Sequence, residues 1–157
     1  MRVGFGVDVH RFSDEGTVRL CGVDIDDTRG IAATSDGDVA LHAVIDAFLG
    51  AAGVGDIGMH FPSSDPRWAG SDSADLLAAA LAEIVSVGYS PSQVDVTIIA
   101  ESLRISPHRE AMRARLASLL NVRVDDVSVK ATSTDGLGFL GTDEGIAATA
   151  VATIIER

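Results

Sequence analysis

One cysteine, Cys21, stands in a chain of 157 residues. No intrachain disulfide can form, and such sparing use of thiols fits a reducing compartment, the cytoplasm. A small buried apolar residue in a strand is the expected role of this thiol. Aromatic side chains are scarce as well, at 4% against 46% hydrophobic residues in all. The core must therefore be built from Ala, Val, Ile and Leu. Positive charge is short: 12 basic residues face 23 acidic ones, for a net charge of -11. That excludes a protein that grips nucleic acid by its phosphates. It also means that a phosphorylated substrate would have to be met locally, by metal ions or helix N-termini. Asp46 and Asp56 interrupt the longest apolar stretch, and Met1 to Gly6 carries no leader-like apolar segment, so no membrane span is expected.

The length suits a single domain over 1–157. Val3 to Phe12 alternates around two glycines and reads as a strand, and Val18 to Ile25 reads as a second after the Asp14-Glu15-Gly16 turn. A helix is expected from Ser35, with its hydroxyl as the cap and Asp36 and Asp38 in the first turn. Leu41, Val44, Ile45 and Phe48 form the apolar face of that helix, and the glycines between Gly50 and Gly58 end it. Prolines make Phe61 to Pro66 a loop. A packing helix follows over Asp72 to Val87, then a buried strand over Val94 to Ala100. Ser106 and Pro107 read as the N-cap and first residue of a third helix running to Leu120. Val127 to Ala131 reads as a strand, and Asp135 to Gly141 as an irregular loop. Gly145 to Ile155 is Ala-rich, but its β-branched residues favour a strand pairing back into the sheet. The pattern is one α/β (α+β) domain, a mixed sheet covered on one face by helices.

Two segments carry chemistry: Asp8-Val9-His10 and Ser35-Asp36-Gly37-Asp38-Val39-Ala40-Leu41-His42. Asp8 and His10 share a strand face. His42 lies on a helix with Asp38 and Asp46 four residues to either side. One carboxylate and two imidazoles are the set that a catalytic zinc takes while keeping one position open. Taken singly, His10 reads as well as the end of a strand, and His42 as a helix histidine bonded to Asp38 or Asp46.

With Gly55-Asp56-Ile57-Gly58, Phe61-Pro62, Asp95 to Ala100, Val129-Lys130-Ala131-Thr132, Gly136-Leu137-Gly138-Phe139 and Glu144-Gly145, these segments closely resemble the 2-C-methyl-D-erythritol 2,4-cyclodiphosphate synthase family from end to end. The resemblance implies a cytoplasmic phosphorus–oxygen lyase of non-mevalonate isoprenoid biosynthesis. Such an enzyme closes a diphosphocytidyl methylerythritol 2-phosphate on itself and releases CMP. It also implies a homotrimer with active sites between subunits. Zinc falls to Asp8, His10 and His42, and a second divalent ion, magnesium or manganese, to Asp135. Catalytic roles go to these four residues and Thr132. Substrate contacts go to Asp8, Val9 and His10, to Thr34 and Ser35, and to Asp56, Ile57 and Gly58. They go also to Phe61, Pro62, Ser63, Ser64 and Asp65, where methylerythritol would lie. The cytidine diphosphate pocket maps to Ala100, Leu103, Arg104, Ile105 and Ser106 with Ala131, Thr132, Ser133, Thr134 and Asp135, and Phe139 joins the substrate-contacting set. Asp46 resembles a partner that orients His42.

Four positions depart from the family pattern. Thr34 stands where His is common, and Thr142-Asp143 where Arg-Gly is common. The second change would place a repulsive carboxylate near a cavity on the threefold axis that binds isoprenoid diphosphates in some members. Asp135 is shorter than the usual Glu. Two other readings use the same residues: a zinc phosphoesterase working through metal-bound water, and an inactive trimer that only binds nucleotide.

Overall fold

The computed structural model describes residues 1–25 and 28–157. Strand β1 (Arg2–Ser13) follows the alternation read from sequence, and its two faces are unlike. Gly4 and Gly6 face inward, where a Cβ would stand 1.9 Å from the Ala47 carbonyl oxygen and 2.1 Å from that of Ala43. The backbone of helix α1 (Val39–Ala52) therefore rests directly on this strand. Asp8 and His10 continue the inward face toward α1, which is how His42 reaches them.

Two short strands, β2 (Val18–Leu20) and β3 (Val23–Ile25), pair as a separate hairpin. The single strand expected over Val18 to Ile25 is thus broken. Cys21, at φ 52, turns the chain, and its buried side chain sits in that turn and not in a strand. Strand β4 (Gly30–Ala32) pairs antiparallel with β1.

Helix α1 begins four residues later than expected. Its cap is Asp38, which accepts the Leu41 N–H at 2.9 Å. The same carboxylate accepts the N–H groups of Cys21 at 3.0 Å and Gly22 at 2.6 Å. A fully buried carboxylate with three donors outcompetes the Ser35 hydroxyl as a cap. Burial pushes the Asp38 carboxyl up to about 6 against the opposing pull of those donors. Ser35 is thereby released into the turn that Gly37 completes at φ 76.

Next come the short helix α2 (Ile57–His60) and α3 (Ser73–Ser86), which Asp72 caps. Strand β5 (Tyr89–Ile99) starts earlier than expected, with a bulge at Pro91 and Gln93. Ser106 and Pro107 open a 3-10 turn without a side-chain cap, and helix α4 (Arg109–Leu120) starts beyond it. Strand β6 (Val127–Thr132), helix α5 (Gly138–Gly141) and strand β7 (Gly145–Glu156) complete the chain. The loop expected from Asp135 to Gly141 thus ends in one helical turn.

The sheet runs β4-β1-β7-β5-β6, with β5 and β6 parallel and the other pairs antiparallel. Helices cover one face, as the sequence pattern predicts. The other face leaves a stripe of apolar side chains in the open: Val3 at 62%, Phe5 at 62%, Val7 at 52% and Val9 at 45% exposure, with Val151 beside them. Among the described residues, no helix is long and apolar enough to cross a membrane.

Candidate active site

Three ligand atoms converge where β1 meets α1. The Asp8 carboxylate oxygen lies 2.8 Å from His42 Nδ1 and 2.9 Å from His10 Nε2, and the two ring nitrogens are 3.2 Å apart. Among the described residues, this is the one group of three or more such side chains that could hold an ion. Metal–ligand bonds of about 2.0–2.1 Å at tetrahedral angles separate neighbouring ligand atoms by about 3.3 Å, and the triangle has nearly that size. The donors also suit a cation. His42 Nε2 meets the hydroxyls of Ser73 at 2.9 Å and Ser35 at 3.1 Å, and Ser73 donates its proton to Asp36. Nε2 thus faces hydroxyl partners, which leaves Nδ1 on the side of Asp8 and His10, where a cation could sit.

The electrostatics agree. Burial would raise the Asp8 carboxyl, but hydrogen bonds to His10 and His42 outweigh it and hold the group well below the usual carboxylate range. Asp8 raises the His10 ring in return, against a smaller opposing effect of burial, and the Ala32 backbone adds a hydrogen bond.

A cleft opens from this cluster. Thr34, Ser35, Ile57, Gly58, Phe61 and Ser63 line it. Asp56 caps α2 at its mouth, accepting the Met59 N–H at 2.8 Å. Asp65 holds Arg67 at 2.6 Å in the adjoining turn, and Pro62 and Ser64 lie on the same loop. Asp46 also lines the cleft but does not bond His42. It accepts the Ile57 N–H at 2.7 Å, so it orients the start of α2 instead. Burial raises its carboxyl, an effect that the Ile57 N–H partly offsets.

Two residues at the site, Trp68 lining the cleft and Ser73 buried behind His42, carried no local signal. Trp68 packs edge-to-face on Phe61 with ring centroids 5.1 Å apart, and Ser73 bonds His42. A lone Trp in a Pro-flanked loop and a Ser at a helix start are ordinary in sequence, and only the fold aims them inward.

A second cleft lies at the carboxyl ends of the parallel pair β5 and β6, where open α/β sheets commonly bind ligands. Ala100, Leu103, Arg104, Ile105 and Ser106 face Ala131, Thr132 and Ser133 there. The Ala100 N–H to Thr132 carbonyl bond and the Thr134 N–H to Glu101 bond tie its walls together. Sheet register puts Asp8, Ala148, Ile98 and Ala131 in one row. Three strand spacings of about 4.8 Å therefore separate Asp8 from Ala131, about 14 Å at the backbone. Within one chain the clefts share no lining residue.

The fold does not bring Asp135 to the Asp8 cluster. It stands exposed in the turn after β6, with Ser133 as its hydrogen-bond partner. Val9 points to the other sheet face and shares a third hollow with Phe139 and Glu144, which His10 also borders. The repulsive carboxylate expected at Asp143 is paired. Arg29 approaches it at 2.6 Å and Ser102 donates to it at 2.7 Å. Among these partly opposed effects burial comes first and raises the group, but the Ser102 and Arg29 contacts prevail and lower it.

Fold and site together define a mixed-sheet α/β protein with an Asp-His-His cluster that could hold a cation and a cleft that opens from it. The YgbB family model matches residues 1–155, and the chain belongs to that family, the one that its sequence motifs resemble. A 2-C-methyl-D-erythritol 2,4-cyclodiphosphate synthase of Methylococcus capsulatus is 52% identical over 156 residues, 99% of each chain. Among solved structures, the bifunctional protein of Campylobacter jejuni matches with a TM-score of 0.96 at 36% identity, over 99% of this chain and 42% of that one. A synthase solved with CDP matches with a TM-score of 0.90 at 34% identity, over 98% of this chain and all of the other.

Proposed function

We propose that this protein is a cyclodiphosphate synthase, a phosphorus–oxygen lyase that converts 4-diphosphocytidyl-2-C-methyl-D-erythritol 2-phosphate to the 2,4-cyclodiphosphate and CMP. The Asp8-His10-His42 cluster, in a chain that matches relatives of that name over its full length, carries this reading. Nucleophile and leaving group both belong to the substrate. An oxygen of the 2-phosphate forms the new bond to the β-phosphorus, and the bond from that phosphorus to the bridging oxygen breaks, so the oxygen leaves with CMP. No protein nucleophile is needed, and the protein's task is to fold the substrate and balance its charge. Asp8, His10 and His42 would hold zinc, which would supply Lewis acidity to the substrate's phosphates, and Asp135 would hold magnesium or manganese, which would offset their charge. Ser35 and the Thr34 hydroxyl face the same cleft and can bond phosphate. The second cleft takes the cytidine diphosphate, in keeping with the relative solved with CDP. The lone buried Cys21 accords with a cytoplasmic setting.

The test is product analysis with metal-replete protein. CMP and cyclic diphosphate should appear in equal amounts without inorganic phosphate. Inorganic phosphate would make the protein a phosphoesterase, and binding without product would make it an inactive homologue.

The active form is a homotrimer in this reading, each site joining the Asp8 cleft of one subunit to the nucleotide cleft of the next. Support comes from the separation of the two clefts and from the uncovered apolar stripe, a surface that soluble chains bury against partners. Phe5→Lys sets a charge in the middle of that stripe, where burial without a partner is costly. Light scattering should show three chains for the wild type and one for the variant, with turnover lost. A fully active single chain would overturn the assembly.

A further inference from the structure

The two ring nitrogens of His42 face different partners. Nδ1 faces Asp8 and His10, and Nε2 faces Ser73 and Ser35. Ser73 is fully buried at the start of α3. Its hydroxyl donates to the Asp36 carboxylate, which also takes the Ser73 backbone N–H at 3.1 Å. A hydroxyl has one proton to give. With that proton on Asp36, Ser73 can only accept from His42. Ser35 differs, since it lines the open cleft and its hydroxyl proton is not tied to a carboxylate.

We infer that Asp36 and Ser73 form a relay that sets the tautomer of His42 and strengthens Nδ1 as a metal donor. The carboxylate polarises the hydroxyl, the hydroxyl polarises the Nε2–H, and electron density moves toward Nδ1. Neither residue touches the ligand atoms of the cluster, so both are positioning residues. This assigns Asp36 a task distinct from that of Asp38 in the same motif. Asp38 anchors the helix, and Asp36 reaches the ion site through a serine 37 positions away. The relay rests on Asp8, His10 and His42 being a metal site.

Two measurements on the full-length protein test it, neither of them turnover. The first is zinc affinity by chelator competition. Ser73→Ala should weaken zinc binding about 10–100-fold, the usual cost of losing an orienting partner. Asp36→Asn, which keeps an acceptor for the Ser73 hydroxyl but removes the charge, should weaken it by less. The double variant should bind zinc as Ser73→Ala does, because Asp36 acts through Ser73. Additive losses, or unchanged affinity in folded Ser73→Ala, would overturn the relay. The second is the nitrogen-15 spectrum of the His42 ring in metal-free protein. It should show the Nε2–H form in the wild type and a tautomer mixture in Ser73→Ala. A mixture already present in the wild type would overturn the relay as well. Wild-type protein that binds no zinc but shows the Nε2–H form would refute the metal reading and leave the tautomer assignment standing.

Discussion

His42→Ala should abolish turnover while leaving the fold intact. Losing one preorganised charge-stabilising group commonly costs roughly 10²–10³-fold in rate, and losing a ligand of a three-ligand site removes the cation as well. The loss should therefore reach at least about 10³-fold in CMP release. The fold should survive because the His42 ring contacts are polar and clustered at the cleft. Helix α1 is held by other means: its buried aliphatic face, the Phe48 side chain and the Asp38 cap. Alanine is also the better helix former. Zinc content and circular dichroism, measured beside the rate, separate the outcomes. Bound zinc should fall well below one per chain with an unchanged helix signal. Full activity in a metal-depleted variant would defeat the site assignment.

Gly6→Ala should have a large effect on stability. The added Cβ would stand 2.1 Å from the Ala43 carbonyl oxygen and 2.7 Å from the Ala47 nitrogen. Both atoms are helix backbone, so no rotamer change relieves the clash. Helix α1 would have to move off the sheet, and twelve of its fourteen residues are buried. Overpacking a core with side chains to spare costs about 1–3 kcal/mol, and a backbone clash should exceed that range. Against a typical total of about 5–15 kcal/mol, a marginal or unfolded protein is expected. Gly50→Ala is the control. It lies on the same helix with no atom within 4 Å of the new Cβ, and it should be neutral or stabilising by up to about 1 kcal/mol. Urea or thermal melts give both values. A Gly6→Ala midpoint equal to wild type would show that α1 does not rest on β1 as closely as described.

Much of the site was legible because the motifs carrying it are short. The alternation of β1 put Asp8 and His10 on one face, and helical periodicity put His42 on the next element. Full-length likeness to one family then joined the two. The walls of the second cleft were likewise legible as residue runs, from Ala100 to Ser106 and from Ala131 to Ser133.

Other readings failed where two chemically reasonable partners competed. Ser35 and Asp38 both suit a helix start. Asp38 prevails because it also satisfies two N–H groups of a turn sixteen and seventeen residues away. Asp46 lies one helical turn from His42, yet the Ile57 N–H takes its oxygen. Asp143 reads as a repulsive charge until Arg29, 114 residues distant, is seen to neutralise it.

The sequence by itself determined the elements whose signals lie within a few residues: strand alternation, helical period, proline breaks, and the ligand types at positions 8, 10 and 42. Tertiary structure decided the cap of α1, the break at Cys21, the partners of Asp46 and Asp143, and the approach of Asp36 and Ser73 to His42. It also decided that the two clefts open about three strand spacings apart. The physical reason is the range of the interactions. Propensity and periodicity act along the chain. A hydrogen bond goes to whichever donor the packed layers bring near, and here that contact depends on two glycines that let a helix lie against a strand.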